Sequence, residues 1–405
     1  MKTVGIVAEY NPFHLGHEYH IKKTREIMGE ECIIVCAMSG DFVQRGESAM
    51  YSKFARAEAA ARSGADVVIE LCAPWALSSA EGFARGSVAL LSAAGCEYIS
   101  FGSESGDIEA LSKLADILAD TQINEETKKV LSENAAMSYA EARQRAVSNE
   151  AGDIAALLEK PNNILAVEYL KAIKMLALDI KPITVMREGA GHDSVSAPLS
   201  AFPSAMELRR KREKDEDIAA FVPSEAEAVY AAERAAGREL NNPDSLEIAI
   251  LSRLRMLKRE DFLALPDAQG GAGERLYAAV QREASLQGVL AAAKTKRYAL
   301  SRLRRMSICA ALGITADMAE GTPPYIRVLA ATERGCALLR TLNDRESALP
   351  VITKPAAVSA LGERAKRVFA VGVSAHDLYT LGFSAKEERK AGEDWRASPK
   401  IVKFS

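Results

Sequence analysis

The sequence predicts an α/β fold, a doubly wound parallel sheet followed by a mainly helical C-terminal region. Three observations carry that expectation. Short apolar runs recur through the first half, at Val4–Ala8, Cys32–Ala37, Asp66–Leu71, Tyr98–Phe101 and Ile183–Met186. They are continuous rather than alternating, the pattern of strands covered on both faces. Helix-patterned stretches separate them, at about Gly16–Met28, Ser52–Ser63, Ala80–Ala94 and Asp107–Asp120, as parallel strands joined by crossovers require. From Ser204 onward the chain turns rich in Ala, Arg, Glu and Leu, with long helical stretches at Ser224–Arg238, Ser245–Leu257, Gly273–Glu283 and Thr295–Leu312. Only Tyr325–Ala331 and Val368–Val373 leave room there for short strands. The expected division is therefore an α/β domain over residues 1–203 and a mainly helical region over 204–405.

Bulk composition narrows the class. A chain of 405 residues is too long for one ordinary core. Hydrophobic residues at 48% and charged residues at 26% fit a globular protein and exclude a disordered one. The net charge of -3 means that any nucleic-acid contact must rest on a local patch. Cysteines 32, 36, 72, 96, 309 and 336 form no CxxC pair. They read as small buried hydrophobes in a reducing compartment, and no metal site is expected. The N-terminus enters a strand-like run at once, and no uninterrupted apolar 18-mer follows. A cytoplasmic protein with no membrane partner is the expectation.

The residues that carry chemistry follow the first strand. Three of the five histidines fall at His14, His17 and His20. Pro12 cannot extend the hydrogen-bond ladder of the strand, so the chain turns there. Gly16 lets backbone approach a ligand closely. The helix that starts near it presents free N–H groups and a positive dipole end to the turn, which suits a triphosphate. His14 and His17, three apart, are placed to donate to phosphate oxygens on which charge grows in a nucleotidyl transfer.

His14-Leu15-Gly16-His17 resembles the HxGH signature of the nucleotidyltransferase superfamily that includes class I aminoacyl-tRNA synthetases. The likeness extends over Val7 to His17, Met38 to Glu47, Phe101-Gly102-Ser103-Glu104, Lys160 to Leu165 and Lys296-Arg297-Tyr298. In that order the blocks resemble the bacterial tRNA(Met) cytidine acetate ligase family. The resemblance implies a nucleotidyltransferase-like ATP-binding catalytic domain over residues 1–203 and a tRNA-binding region over 204–405. It implies ATP with Mg2+ as cofactor, and acetate and elongator tRNA(Met) as substrates. It implies a ligase that forms acetyl-adenylate and then acetylates the wobble cytidine to N4-acetylcytidine, without acetyl-CoA.

Carried over residue by residue, the catalytic pair falls on His14 and His17. The ATP contacts fall on Val7, Ala8, Glu9, Tyr10, Asn11, Pro12, Phe13, His14, Leu15, Gly16, His17 and His20, and on Gly102, Asn162, Asn163 and Arg187. Gly102 offers bare backbone at the sheet edge. Either asparagine can read adenine edges or ribose hydroxyls, and Arg187 can fork onto phosphate. One block departs from the family pattern. Ser204-Ala205-Met206-Glu207-Leu208-Arg209 keeps the serine and arginine of a second phosphate-binding signature but has no hydroxyl at 206. Asp41 and Arg45, in the loop after the second strand, receive no assigned role, since a magnesium contact and a structural staple fit equally.

Lys294, Lys296, Arg297, Arg302, Arg304 and Arg305 crowd a short stretch without an acid, with Tyr298 interleaved. On a helix such a patch suits RNA phosphates, and the aromatic offers stacking to an unpaired base. Two other functions share the first motif: a small-metabolite adenylyltransferase, and a non-catalytic RNA-binding protein that holds ATP. The first leaves the C-terminal half without purpose.

Overall fold

The computed structural model describes residues 2–134, 137, 139–186, 203–343 and 349–403. Its strands are β1 (Thr3–Ala8), β2 (Ile33–Ser39), β3 (Phe42–Val43), β4 (Glu47–Ser48), β5 (Val67–Leu71), β6 (Tyr98–Ser103), β7 (Lys181–Met186), β8 (Ile326–Thr332), β9 (Val351–Ile352) and β10 (Lys400–Val402). Eight of them form one sheet in the order β10-β8-β5-β2-β1-β6-β7, with β9 beside β8, and β3 pairs with β4 as a separate hairpin. Every pair in the large sheet is parallel except β5 with β8.

The five expected strands and four expected helices of the first half are present, with ends shifted by a few residues. The helices are Leu15–Met28, Lys53–Arg62, Ala80–Ala93 and Ile108–Ala119. Burial explains why the strands read as continuous apolar runs. Ile33, Val35 and Ala37 of β2 enter the core on one face, while Ile34, Cys36 and Met38 enter the core on the other. A strand buried on both sides has no solvent-facing positions to make polar.

Beyond residue 204 two results differ from expectation. Tyr325–Ala331 does become a strand, but β8, β9 and β10 join the first sheet, which therefore draws on both sides of the expected boundary. Val368–Val373 lies inside the helix Glu363–Thr380, where Val368, Phe369, Val371 and Val373 are buried. The exposed stripe of that helix runs through Glu363, Arg367, Ala370 and Ser374, and within 368–373 it contributes only Ala370, so the window reads as an unbroken apolar run like a strand. The intervening helices pack around a core of their own that includes Leu254, Phe262, Leu276, Leu303 and Tyr379.

β1 lies between β2 and β6. The chain runs from β1 through β2 to β5 on one side and then crosses back to β6 and β7 on the other, so the C-terminal ends of β1 and β6 frame the topological switch point where ligands of open α/β sheets bind.

A candidate nucleotide site at the switch point

The histidine turn sits at that point. His14 is the N-cap of the helix Leu15–Met28, and its Nδ1 accepts the Gly16 N–H at 3.0 Å. His17 Nδ1 accepts the His14 N–H at 3.3 Å, completing a capping box built from two histidines. Because both Nδ1 atoms accept, the neutral rings carry their protons on Nε2, the tautomer that makes Nε2–H a donor. The rings lie 4.0 Å apart between centroids, and Tyr10 meets His17 edge-on at 4.9 Å.

Contacts from distant segments hold the turn. The buried Phe13 donates its N–H to Tyr230 Oη at 3.0 Å, and Tyr230 stacks on Tyr51 at 4.1 Å. Asn11 Oδ1 accepts the Met50 N–H at 2.8 Å, and the Asn11–Pro12 peptide is cis. Arg209 Nη1 donates to the Asn11 carbonyl at 2.8 Å. The departing Ser204–Arg209 block thus reaches the turn, on a helix that Ser204 and Glu207 cap reciprocally. The fully buried Arg56 ties the ends of β1 and β2 together by donating to the carbonyls of Glu9, Ser39, Gly40 and Tyr51.

Glu9 follows β1, and its Oε1 accepts the Gln44 N–H at 2.9 Å. Burial pushes its carboxyl pKa up, against that hydrogen bond and the charges of Arg209, Arg45 and Arg56. His20 is turned toward the sheet, with Nε2 at 2.9 Å from Ser100 Oγ of β6. Gly102 lies two residues past the Ile6–Ser100 pairing, level with the end of β1.

The two asparagines separate. Asn163 is buried, and its Oδ1 accepts the N–H groups of Glu104 and Ser105 at 3.0 and 3.3 Å. Glu104 answers by accepting the Asn163 N–H at 2.9 Å and Asn162 Nδ2 at 2.6 Å. Glu104 thereby caps the helix Pro161–Met175, and Asn163 fastens the loop after β6. Asn162, only partly buried, is the one nearer the surface. Arg187 lies outside the described residues.

Asp41 is a staple, and its partner is a histidine rather than an arginine. Its Oδ1 accepts the Lys53 N–H at 2.7 Å and its Oδ2 faces His376 Nδ1 at 2.9 Å. His376 Nε2 lies 3.0 Å from Glu393. Burial opposes charge on His376, but the two carboxylates hold it protonated, with a pKa raised to about 10. Beside it, Lys53 bridges Glu70 and Asp394 at 2.9 and 2.7 Å, and Arg327 bridges the same two at 3.3 and 2.6 Å.

Sequence reasoning missed Arg56, Lys53, Tyr230 and His376. Lys53 and Arg56 had a signal: they sit in the alanine-rich stretch KFARAEAAAR, whose helix is buried almost all round.

The basic stretch is less uniform than its sequence. It is not one helix: Thr295–Tyr298 forms a turn, and the helix begins at Leu300. Tyr298 is buried and donates its hydroxyl proton to the Gly270 carbonyl, so stacking on a base is corrected to a packing role. Arg302 lies over the Tyr298 ring and donates to the Asp267 and Gln269 carbonyls. Arg305 is buried against Asp267 at 3.1 Å, and Arg304 pairs with Glu47. The 267–271 loop and the β3–β4 hairpin dock here, and their carbonyls and carboxylates take these guanidiniums. Lys294, Lys296 and Arg297 are exposed and make no ion pair among the described residues. Among the described residues no group of three or more His, Cys, Asp or Glu side chains is placed to hold a metal ion, and no helix is long and apolar enough to cross a membrane.

A parallel sheet with a histidine-capped helix at its switch point defines a HIGH-type nucleotidyltransferase. The family model described as HIGH Nucleotidyl Transferase matches residues 1–394. The tRNA(Met) cytidine acetate ligase of Fervidobacterium nodosum is 34% identical over 98% of both chains. That of Caldanaerobacter subterraneus subsp. tengcongensis is 36% identical over 95% of this chain and 96% of its own. The chain belongs to the tRNA(Met) cytidine acetate ligase family. Crystal structures of Thermotoga maritima TmcAL agree in fold over the whole of both chains at 29% identity. The TM-score is 0.90 for the apo form and 0.89 for the form bound with alpha-thio ATP.

Proposed function

We propose that this protein activates acetate with ATP and acetylates the wobble cytidine of elongator tRNA(Met). The observation that carries the reading is the pair His14 and His17, locked by their Nδ1 contacts at the switch point of a chain with full-length relatives of that name. Acetate oxygen attacks the α-phosphorus of ATP and pyrophosphate leaves. The Nε2–H groups of His14 and His17 donate to the phosphate oxygens as charge accumulates there. The cytidine exocyclic nitrogen then attacks the acetyl carbon, AMP leaves with the bonding pair, and the amine proton passes to a base.

Residues Val7 to His17 line the phosphates, and His20, bonded to Ser100 of β6, ties that segment to the sheet. Gly102 and Asn162 border the nucleoside, with Asn163 holding the loop in shape, and Arg187, the next residue after β7 in sequence, binds phosphate. Residues 1–203 bind ATP, and the helices beyond 204 receive the tRNA. Lys294, Lys296, Arg297 and the part-exposed Arg304 meet RNA phosphate directly, while Arg302 and Arg305 shape that surface through their internal partners. Mg2+ arrives with the triphosphate, whose oxygens bind it. Asp41 does not fit as its ligand, because the Lys53 N–H and His376 already occupy its two oxygens. The reaction takes place in the cytoplasm.

The test is incubation of purified protein with ATP, labelled acetate and elongator tRNA(Met). The expected products are N4-acetylcytidine, AMP and pyrophosphate. Product from acetyl-CoA but none from acetate would overturn the reading.

A further inference from the structure

Glu47 stands where three elements meet. It lies on β4, in the hairpin that follows β2. Its Oε1 accepts from Arg304 Nη1, near the start of the helix Leu300–Leu312. Its Oε2 lies 3.6 Å from Arg209 Nη2. Arg209 in turn donates its other terminal nitrogen to the Asn11 carbonyl at 2.8 Å. One carboxylate is therefore shared between a cation at the RNA-facing end and a cation seated on the histidine turn.

The hairpin backbone packs directly on that helix. Gly46 has φ +73°, and a Cβ there would overlap the backbone of Arg304 and Arg305. Exposure rises outward along the relay: the side chains of Arg209, Glu47 and Arg304 are 19%, 32% and 36% accessible. Arg304 is the member an RNA phosphate reaches first, and Arg209 is the most enclosed. Arg45, at the hairpin tip, is exposed and makes no ion pair among the described residues.

We propose that Glu47 is a positioning residue that couples RNA bound at Arg304 to the seating of Arg209 on the Asn11–His17 turn. A phosphate and Glu47 compete for the Arg304 guanidinium. When the phosphate takes it, the whole Glu47 charge is left to Arg209, which it pins against the Asn11 carbonyl. Bound RNA thereby orders the turn that holds the nucleotide, and by reciprocity bound nucleotide favours RNA. This rests on the reading under "Proposed function".

The experiment measures the dissociation constant of ATP with and without saturating elongator tRNA(Met), acetate being omitted to prevent turnover. In the wild-type protein tRNA tightens ATP binding by about two- to fivefold, the range a partly exposed ion pair supports. In Glu47→Gln the ratio of the two constants falls to one, and in Arg304→Gln, at saturating tRNA, it does the same. A purely structural role for Glu47 would weaken both constants and leave their ratio intact. A Glu47→Gln ratio equal to that of the wild type overturns the proposal, as does a wild-type ratio of one. Should Glu47→Gln fail to fold by thermal melting, the Arg304→Gln ratio decides in the same terms. Failure of the wild type to bind ATP or tRNA at all would instead overturn the function itself.

Discussion

Replacing Lys53 by Met tests whether the buried charge ring around Glu70 of β5 governs stability. Lys53, Glu70, Arg327 and Asp394 close a ring of two cations and two anions, with side chains no more than 6% accessible. Methionine keeps the volume of the lysine stem, so the cavity contribution is small. What remains is Glu70 and Asp394 sharing the single cation Arg327. Breaking a buried pair by removing one partner costs about 3–5 kcal/mol. Unfolding entropy near 2.1 cal/mol/K per residue, over 405 residues, comes to about 0.85 kcal/mol/K, so the midpoint should fall by about 4–6 °C. The assay is thermal unfolding at neutral pH and low salt. A fall under about 1 °C would refute the claim that the charges are interdependent. The double variant Lys53→Met/Glu70→Gln restores neutrality and should recover more than half of the loss. No recovery would place the effect in packing instead of charge.

Three further outcomes are expected. Stability should depend on His376 at alkaline pH. Its pKa is near 6.5 unfolded and about 10 folded, so its contribution is full below about pH 6.5, declines above it and is gone beyond about 10; urea midpoints between pH 6 and 10 should show this slope, and His376→Gln should flatten it. His17→Ala should lower acetate-dependent exchange of pyrophosphate into ATP by about 10²–10³-fold, while filter binding shows tRNA affinity unchanged. The triple change of Lys294, Lys296 and Arg297 to Ala should weaken tRNA binding and reduce its log–log salt slope by about 2–3, with pyrophosphate exchange retained.

The parallel sheet and the histidine turn after β1 were legible because each rests on local pattern. β1, β2, β5 and β6 are mostly apolar, with Glu70 their one charge, since both faces are buried, and the histidine motif is contiguous, so a single turn displays it. The basic stretch misled for a physical reason. Charge can be read from Lys294 to Arg305, but whether a guanidinium faces solvent or an internal carbonyl depends on what docks against it. Arg302 and Arg305 were claimed by Asp267, and Arg304 by Glu47. Asn163 was likewise spent on the loop after β6, through a Glu104 separated from it by 59 residues.

Some long-range structure did leave a trace. Glu70 is the lone charge within the strand VVIEL and Arg327 the lone charge within IRVLAAT. Two opposite charges in strands that must be buried have to find each other, and they sit directly opposite in the β5–β8 register. Pairing them from sequence would have placed β8 in the sheet.

By itself, the sequence determined the strand-and-helix order of the first half and the histidine turn after β1, since period and cap chemistry act within a few residues. Tertiary structure alone decided that β10 extends the sheet beside β8, that Tyr230 and Arg209 hold the turn, and that Glu47 joins it to the basic helix. Those contacts close loops of tens to hundreds of residues, and their partners are chosen by burial and charge balance in the folded chain rather than by any neighbour in sequence.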